Sequence, residues 1–243
     1  MNPLPRHQAL LGVDVIGSAR NPGHYLEALK TTTDTMLRTA LTDTGIGPIP
    51  AADWESTGDG ALLTLPSSDL GALFDAASRL ETLAAQHNRW NKPDVRLRIA
   101  VHVGPVGPRS GYYEPKIAHS RLLNAPIFKQ VVEQCLAERP ADTVNTGLIV
   151  SDDAYRAVFG GDHTNLVNKA DFASVVVADK EFEQPAWIRV PGFEAKSLTS
   201  FTKPEPRTQP TAGMTMHNTI SGSDNGVVQA REISGNITFG SGR

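Results

Sequence analysis

The stretch Ala9 to Arg20, ALLGVDVIGSAR, decides the fold. Gln8 to Ile16 is apolar at nearly every position, as a strand covered on both faces must be, and Gly17-Ser18 breaks it at once. One carboxylate, Asp14, interrupts the run. Charge inside a strand costs several kcal/mol, or the group neutralises itself, unless a partner cation or a metal compensates it. A distant echo follows at Ser56-Thr57-Gly58-Asp59-Gly60, where Asp59 lies between two glycines at the expected tip of a hairpin. Taken alone, Asp14 could be a helix cap or a salt-bridged core aspartate, and Gly-Asp-Gly is ordinary turn chemistry. Taken together, the reading is that the two aspartates meet.

Working outward, Pro22-Gly23 opens a helical stretch from about His24 to Thr42, with Leu26, Leu29, Met36, Leu37, Ala40 and Leu41 as its apolar stripe. Thr31-Thr32-Thr33 should weaken it locally, because β-branched side chains lose rotamer freedom in a helix. A hairpin is expected from strands near Ala51 to Thr57 and Ala61 to Leu65, then a clear helix from Leu70 to Asn88. Val95 to Val103, VRLRIAVHV, alternates apolar residues against Arg96, Arg98, Ala100 and His102, which predicts a strand with one polar-tolerant face. Gly104 to Gly111 reads as loop, Glu114 to Leu123 and Ile127 to Glu138 as helices, and Gly147 to Ser151 as a buried strand. Ser151-Asp152-Asp153 caps a helix from Ala154 to Phe159, and Val175-Val176-Val177 and Trp187 to Val190 read as antiparallel neighbours. The fold class is α+β: a mixed, mostly antiparallel sheet flanked by helices, opening on a ferredoxin-like pattern.

The chain has 243 residues, room for one large domain and a tail. Its net charge of -3 supplies no basic field for nucleic acid. The single cysteine, Cys135, cannot form an internal disulfide and falls in a helical segment, so a core role is expected. No apolar run approaches the ~18 residues of a membrane helix, and MNPLPRHQ has no signal-like apolar region, which together point to a cytoplasmic location without a membrane span. Residues 1–201 read as the folded domain. Residues 202–217, rich in proline and threonine, read as a flexible linker, and residues 218–243 as a β-prone tail.

Two carboxylates at a strand end and a hairpin tip can hold a pair of hard divalent cations, Mg²⁺ or Mn²⁺, helped by carbonyls of the turn after Asp14. The residues then carry a resemblance. DVIGSAR resembles the first metal-binding segment of class III nucleotidyl cyclases, STGDGALLTLP their second metal-binding hairpin, and VRLRIAVHVGPV the strand after their second helix. His119-Ser120-Arg121-Leu122 resembles the end of their catalytic helix motif, and GLIVSDDAYRAVF their late strand and helix. The resemblance spans about Ala9 to Val190.

It implies the class III cyclase fold and conversion of a nucleoside triphosphate to a 3′,5′-cyclic nucleotide and pyrophosphate. Asp14 and Asp59 would hold both metals with carbonyls of Val15 or Ile16, and Arg121 would stabilise the transferring phosphoryl group. Gly17, Ser18, Glu55, Gly58 and Lys196 would bind substrate, with Arg189 a further candidate for the triphosphate. A head-to-tail homodimer with shared sites is implied, one protomer giving the metals and its partner the arginine. The chain departs from the family at Ile117, where the helix usually carries asparagine, and at Glu55, where adenylyl cyclases carry lysine. Glutamate there resembles guanylyl cyclases, but Tyr112-Tyr113-Glu114-Pro115-Lys116 matches neither purine pattern. Such divergence is similar to the pyrimidine cyclases of the antiphage Pycsar type, which leaves UTP or CTP open. A catalytically inactive cyclase-homology module is the alternative. In the tail, Gly226-Val227-Val228-Gln229-Ala230 resembles bacterial amyloid signalling motifs related to the RHIM, implying a sensor partner with a matching motif.

Overall fold

In a computed structural model, residues 5–107, 113–140, 143–179 and 182–202 are described. The first half runs β1 (Arg6–Val15), α1 (Leu26–Asp43), β2 (Trp54–Ser56), β3 (Ala61–Pro66), α2 (Leu70–Trp90) and β4 (Leu97–Val106). The second half adds α3 (Glu114–Asn124), α4 (Pro126–Glu138), β5 (Thr146–Ser151), α5 (Asp152–Phe159), β6 (Ala173–Asp179), β7 (Phe182–Arg189) and α6 (Ala195–Phe201). The seven strands form one sheet in the order β2-β3-β1-β4-β5-β7-β6. Its first four strands reproduce the split β-α-β arrangement of a ferredoxin-like core. Only β4 and β5 are parallel; every other neighbouring pair is antiparallel.

Strand β1 lies between β3 and β4, which explains its continuous apolar sequence: both faces are covered. Leu11 and Val13 point to one core, with Leu29, Leu37 and Leu41 of α1 and Leu73, Phe74 and Leu80 of α2. The stripe along α1 survives its threonine run because Thr33 is itself fully buried in that packing. The opposite core gathers Ala100 of β4 with Leu122 of α3, Phe128 and Val132 of α4 and Ile188 of β7. Cys135 is buried in it, and burial, with Glu138 second, pushes its thiol up to about 12. It is a packing residue, as expected.

Three expectations change. The polar face of β4 is divided: Arg98 at its start is partly exposed and paired with Asp14, whereas Ala100 and His102 are buried, because α3 lies across them and presents Pro115, Ala118, His119 and Leu122. The segment read as loop from Gly104 continues the strand to Val106. Helix α6 has no counterpart in the sequence reading, since its seven residues bury a single large apolar side chain, Leu198, too little for a periodic signal. The linker and tail expectations fall on residues 203–243, outside the described residues apart from Thr202. Among the described residues no helix is long and apolar enough to cross a membrane.

A buried carboxylate far from β1 ties a loop to α2. Asp75 accepts from the backbone N–H groups of Asn165 (2.9 and 3.2 Å) and Leu166 (2.8 Å) and from the Asn165 side chain (3.3 Å). Asp75→Ala leaves those donors unpaired, and urea unfolding should show a loss of about 2 kcal/mol.

Candidate functional site

The register of β1 on β4 sets Asp14 opposite Arg98, Gly12 opposite Ala100 and Leu10 opposite His102. Asp14 and Arg98 therefore project from one face. The Arg98 Nε donates to Asp14 Oδ2 at 3.0 Å, and Nη2 donates to the same oxygen. The charge in the strand is thus compensated by an arginine on the neighbouring strand β4, 84 residues on in sequence. Sequence reading missed this residue, treating Arg98 as one polar position of an alternating strand; only the register across the β1–β4 pair identifies it. Both donors fall on Oδ2, so Oδ1 of Asp14 has no partner among the described residues.

The β2–β3 turn comes to the same place. Thr57 N–H donates to the Gly60 carbonyl at 3.1 Å, and Gly58, at φ +89°, takes the left-handed conformation that the turn requires. Gly60 has no room for a side chain: a Cβ there would lie 1.9 Å from the Val13 carbonyl oxygen and 3.1 Å from Asp14 Cα. The hairpin tip is pressed onto the end of β1. Asp59, the preceding residue, is consequently held beside the Asp14 backbone, half-buried.

The chain after Asp14 turns through Gly17 (φ +71°) into the short 3₁₀ turn Ser18–Arg20. Beside Ile16 and Gly17 an open cleft of about 790 Å³ is lined by Arg20, Lys92 and Arg96 among other residues, with Asp94 and Glu133 also on its wall. Lys92 and Arg96 are both ion-paired with Asp94, so the wall sets three cations against two carboxylates. Val15, by contrast, is a buried core side chain, so only its backbone could serve a site.

The remaining predicted residues lie elsewhere. Glu55, on β2, is ion-paired with Lys116 of α3. Arg121, on the same helix, sits with its guanidinium 5.1 Å from the Phe182 ring centroid. Among the described residues no hydrogen bond or ion pair joins Arg121 to Asp14 or Asp59. Lys196 is exposed on α6, and Arg189 is held by Asp171 at 3.3 Å. Ile117 is 41% exposed on α3, uncommon for a large aliphatic side chain on an otherwise packed helix.

Under α3 two histidines are buried. His119 lies directly over Gly12, where a Cβ would be 2.1 Å from its Cε1, and its Nε2 is 3.1 Å from the Ala100 carbonyl oxygen. Burial drives His119 down to about 4, the Ala100 contact opposes this, and neighbouring His102 adds to it. His102 is also lowered by burial, with Asp153 opposing.

The donor set at β1 is compatible with hard cations. Among the described residues no group of three or more His, Cys, Asp or Glu side chains is arranged to hold a metal ion by itself. A cation here would draw on two carboxylates, backbone carbonyls and the oxygens of a ligand. That oxygen-only, partly open set is what Mg²⁺ and Mn²⁺ accept, and the unpartnered Oδ1 of Asp14 leaves a ligand position without displacing Arg98.

The chain matches no protein-family model and no curated protein sequence. Its fold is that of solved cyclase domains. It is similar to the adenylate/guanylate cyclase/hydrolase from Silicibacter pomeroyi, at 17% identity and a TM-score of 0.54, over 77% of this chain and 98% of that one. It is similar to a bacterial light-regulated adenylyl cyclase, at 11% identity and a TM-score of 0.52, over 83% of this chain and all of that one. A third likeness is to the dimeric guanylyl cyclase domain of the RhoGC fusion protein from the aquatic fungus Blastocladiella emersonii, at 10% identity and a TM-score of 0.50, over 77% of this chain and 97% of that one. The likeness extends over nearly the whole length of those domains, and it is a likeness of fold.

Proposed function

We propose that the protein is a class III type nucleotidyl cyclase, converting a nucleoside triphosphate to a 3′,5′-cyclic nucleotide and pyrophosphate. The observation that supports this is the packing of Gly60, the residue after Asp59, against the Val13 carbonyl and the Asp14 backbone at the end of β1. In the reaction the O3′–Pα bond forms, the bond from Pα to the bridging oxygen breaks, and the 3′-hydroxyl proton passes to water as pyrophosphate leaves. Asp14 and Asp59 would hold two divalent cations, Mg²⁺ or Mn²⁺, with the Val15 or Ile16 carbonyl. Bound there, the cations supply Lewis-acid stabilisation of phosphate oxygens and of the attacking oxygen. Arg98 would keep its hold on Oδ2 of Asp14, orienting the carboxylate while Oδ1 faces a cation. The backbone at Gly17 and Ser18 and the turn at Gly58 would frame the phosphates, and the cleft beside Ile16, with Arg20 on its wall, would receive their far end.

Arg121 is assigned to a shared site in a head-to-tail homodimer, where Arg121 of a second copy would offset charge on the transferring phosphoryl group. Glu55 is assigned to the base, and Lys196 to the triphosphate. The test is incubation of purified full-length protein with Mn²⁺ and each of the four ribonucleoside triphosphates, with products identified by mass spectrometry. Cyclic nucleotide and pyrophosphate in equal amounts support the proposal; unreacted substrate in all four arms sinks it.

A second reading draws on Ile117. With an exposed isoleucine where the family helix carries asparagine, the domain would be an inactive cyclase-homology module that binds nucleotide or serves as a scaffold. Nucleotide binding without turnover in the same assay would select it. We further propose a Pycsar-like role in antiphage signalling, with the tail's RHIM-like motif recruiting the domain to a sensor. Those tail residues lie outside the described residues, and a peptide spanning Asn218 to Phe239 that neither self-assembles nor seeds fibres would remove the recruitment step.

A further inference from the structure

We propose that the outer edge of β6 is a self-association site, where a second copy of this chain adds its own β6 antiparallel about Val176 and continues the sheet. The sheet ends on β2 at one side and on β6 at the other. Strand β2 is three residues long, too short to template another chain. Strand β6 is seven residues long, and its register on β7 runs without a bulge. From Ala173 to Ala178, ASVVVA, it also has no lysine, no proline and no charge, so none of the devices that blunt an open edge is present there.

The register fixes which backbone groups face outward. Asp179 pairs with Phe182 across a two-residue connection, and such a connection is closed by a hydrogen-bonded pair. Bonded and unbonded pairs alternate from there. Val177 and Val175 therefore bond to β7, whereas Val176 stands in an unbonded pair with Pro185, which has no N–H to give. The N–H and C=O groups of Ser174, Val176 and Ala178 point away from β7, and among the described residues no loop or turn backbone group bonds to them. The same three residues hold the exposed face of the strand, Val176 at 59%. Val175 and Val177 are buried on the other face, in the core that includes Leu198 of α6.

A second copy satisfies this edge with the sequence as it stands. Two strands related by a two-fold axis through Val176 set Val176 against Val176 and Ser174 against Ala178, so each outward N–H and C=O meets its counterpart. A β-branched pair lies on the axis, small side chains flank it, and no like charges are opposed. A neutral strand that is matched in size about its centre favours its own copy over a charged peptide. One strand edge covers less than the about 800 Å² a side that stable complexes bury, so the contact forms at high local concentration and is absent in dilute solution. It follows clustering of the chain rather than driving it.

The experiment uses full-length Val176→Cys, Ser174→Cys and Ala178→Cys, with Leu166→Cys, at another exposed position, as the control for random collision. The one native cysteine, Cys135, is buried and stays out of the reaction. Bonded antiparallel partners stand ~5.5 Å apart at Cα, within reach of a disulfide. Under mild oxidation at about 100 µM protein, Val176→Cys should cross-link to itself at least about 10-fold more than Leu166→Cys, and the excess should fade on dilution. Ser174→Cys should cross-link with Ala178→Cys in a mixture, and neither by itself. Sedimentation at the same concentration should give a smaller average mass for Val176→Lys, which charges the edge, than for wild type, with the melting temperature unchanged. In wild type the amide hydrogens of Ser174, Val176 and Ala178 should exchange more slowly as the concentration rises. Cross-linking no greater than the control, or Ser174→Cys joining itself as readily as it joins Ala178→Cys, overturns the pairing. Amides protected equally at every concentration would mean that something other than a second copy covers the edge, which overturns it as well. Nucleotide turnover is read by none of these measurements, so the pairing and the cyclase reading fail separately.

Discussion

Asp59→Asn should lower cyclic nucleotide formation by about 10³-fold or more, the several kcal/mol that a metal-held phosphoryl transfer loses with its ligand, while the melting temperature stays close to wild type. The reasoning separates the aspartate from its glycines. Asp59 is at a turn tip and makes no ion pair among the described residues, so the amide replaces a ligand without removing a structural contact. Gly60 is the structural element, because its backbone rests against the Val13 carbonyl. Asp14→Asn should remove activity as well, but it also takes the charge from Arg98 and should cost stability. Asp59 is thus the cleaner variant. It also tests the shared site. Arg121→Ala should be inactive alone, and mixing it with Asp59→Asn should restore about a quarter of wild-type activity, since half the random dimers are mixed and each has one complete site. Full activity of Asp59→Asn would sink the assigned metal site, and failure of the two inactive variants to complement would sink the shared-site arrangement.

The fold was legible where the sequence had a period to show. The continuous apolar run of β1, the three-and-four spacing of α2 and the Gly-Asp-Gly turn each report a local constraint, and the element order pointed to the mixed α+β sheet. What stayed hidden was cross-strand. The partner of Asp14 is Arg98, eighty-four residues on, and nothing local in VRLRIAVHV marks which of its two arginines faces the carboxylate; that is fixed by a register in which one residue of slip would turn Arg98 to the other face. Lys116 was read as part of an unmatched pentapeptide, yet its reach to Glu55 depends on α3 crossing the sheet at a place set by Gly12 and His119. Helix α6 fell below the length at which apolar spacing is informative. The role of Arg121 rests on a motif, and in the fold its guanidinium lies against the Phe182 ring.

The same packing under α3 carries a large effect on stability. His119 fits over Gly12 because no Cβ stands there, and its burial lowers the imidazole from 6.5 to about 4. Above about pH 6.5 the ring is neutral in both folded and unfolded chains and costs nothing. As the pH falls below 6.5 the unfolded chain binds a proton that the folded chain refuses, so stability declines; the decline ends near pH 4, where the folded ring also takes the proton. The shift amounts to about 3 kcal/mol of stability lost across that window. His102, lowered in the same direction, contributes alongside it, with Asp153 as the opposing charge. His119→Gln keeps a group able to donate to the Ala100 carbonyl but does not titrate, so the difference between wild-type and variant urea-unfolding free energies from pH 7 to pH 4 isolates this residue. Wild type should lose about 3 kcal/mol more than the variant over that range. Parallel curves would mean that the ring is charged in the folded protein, and that α3 is held over β1 by a different contact than the neutral imidazole on Ala100.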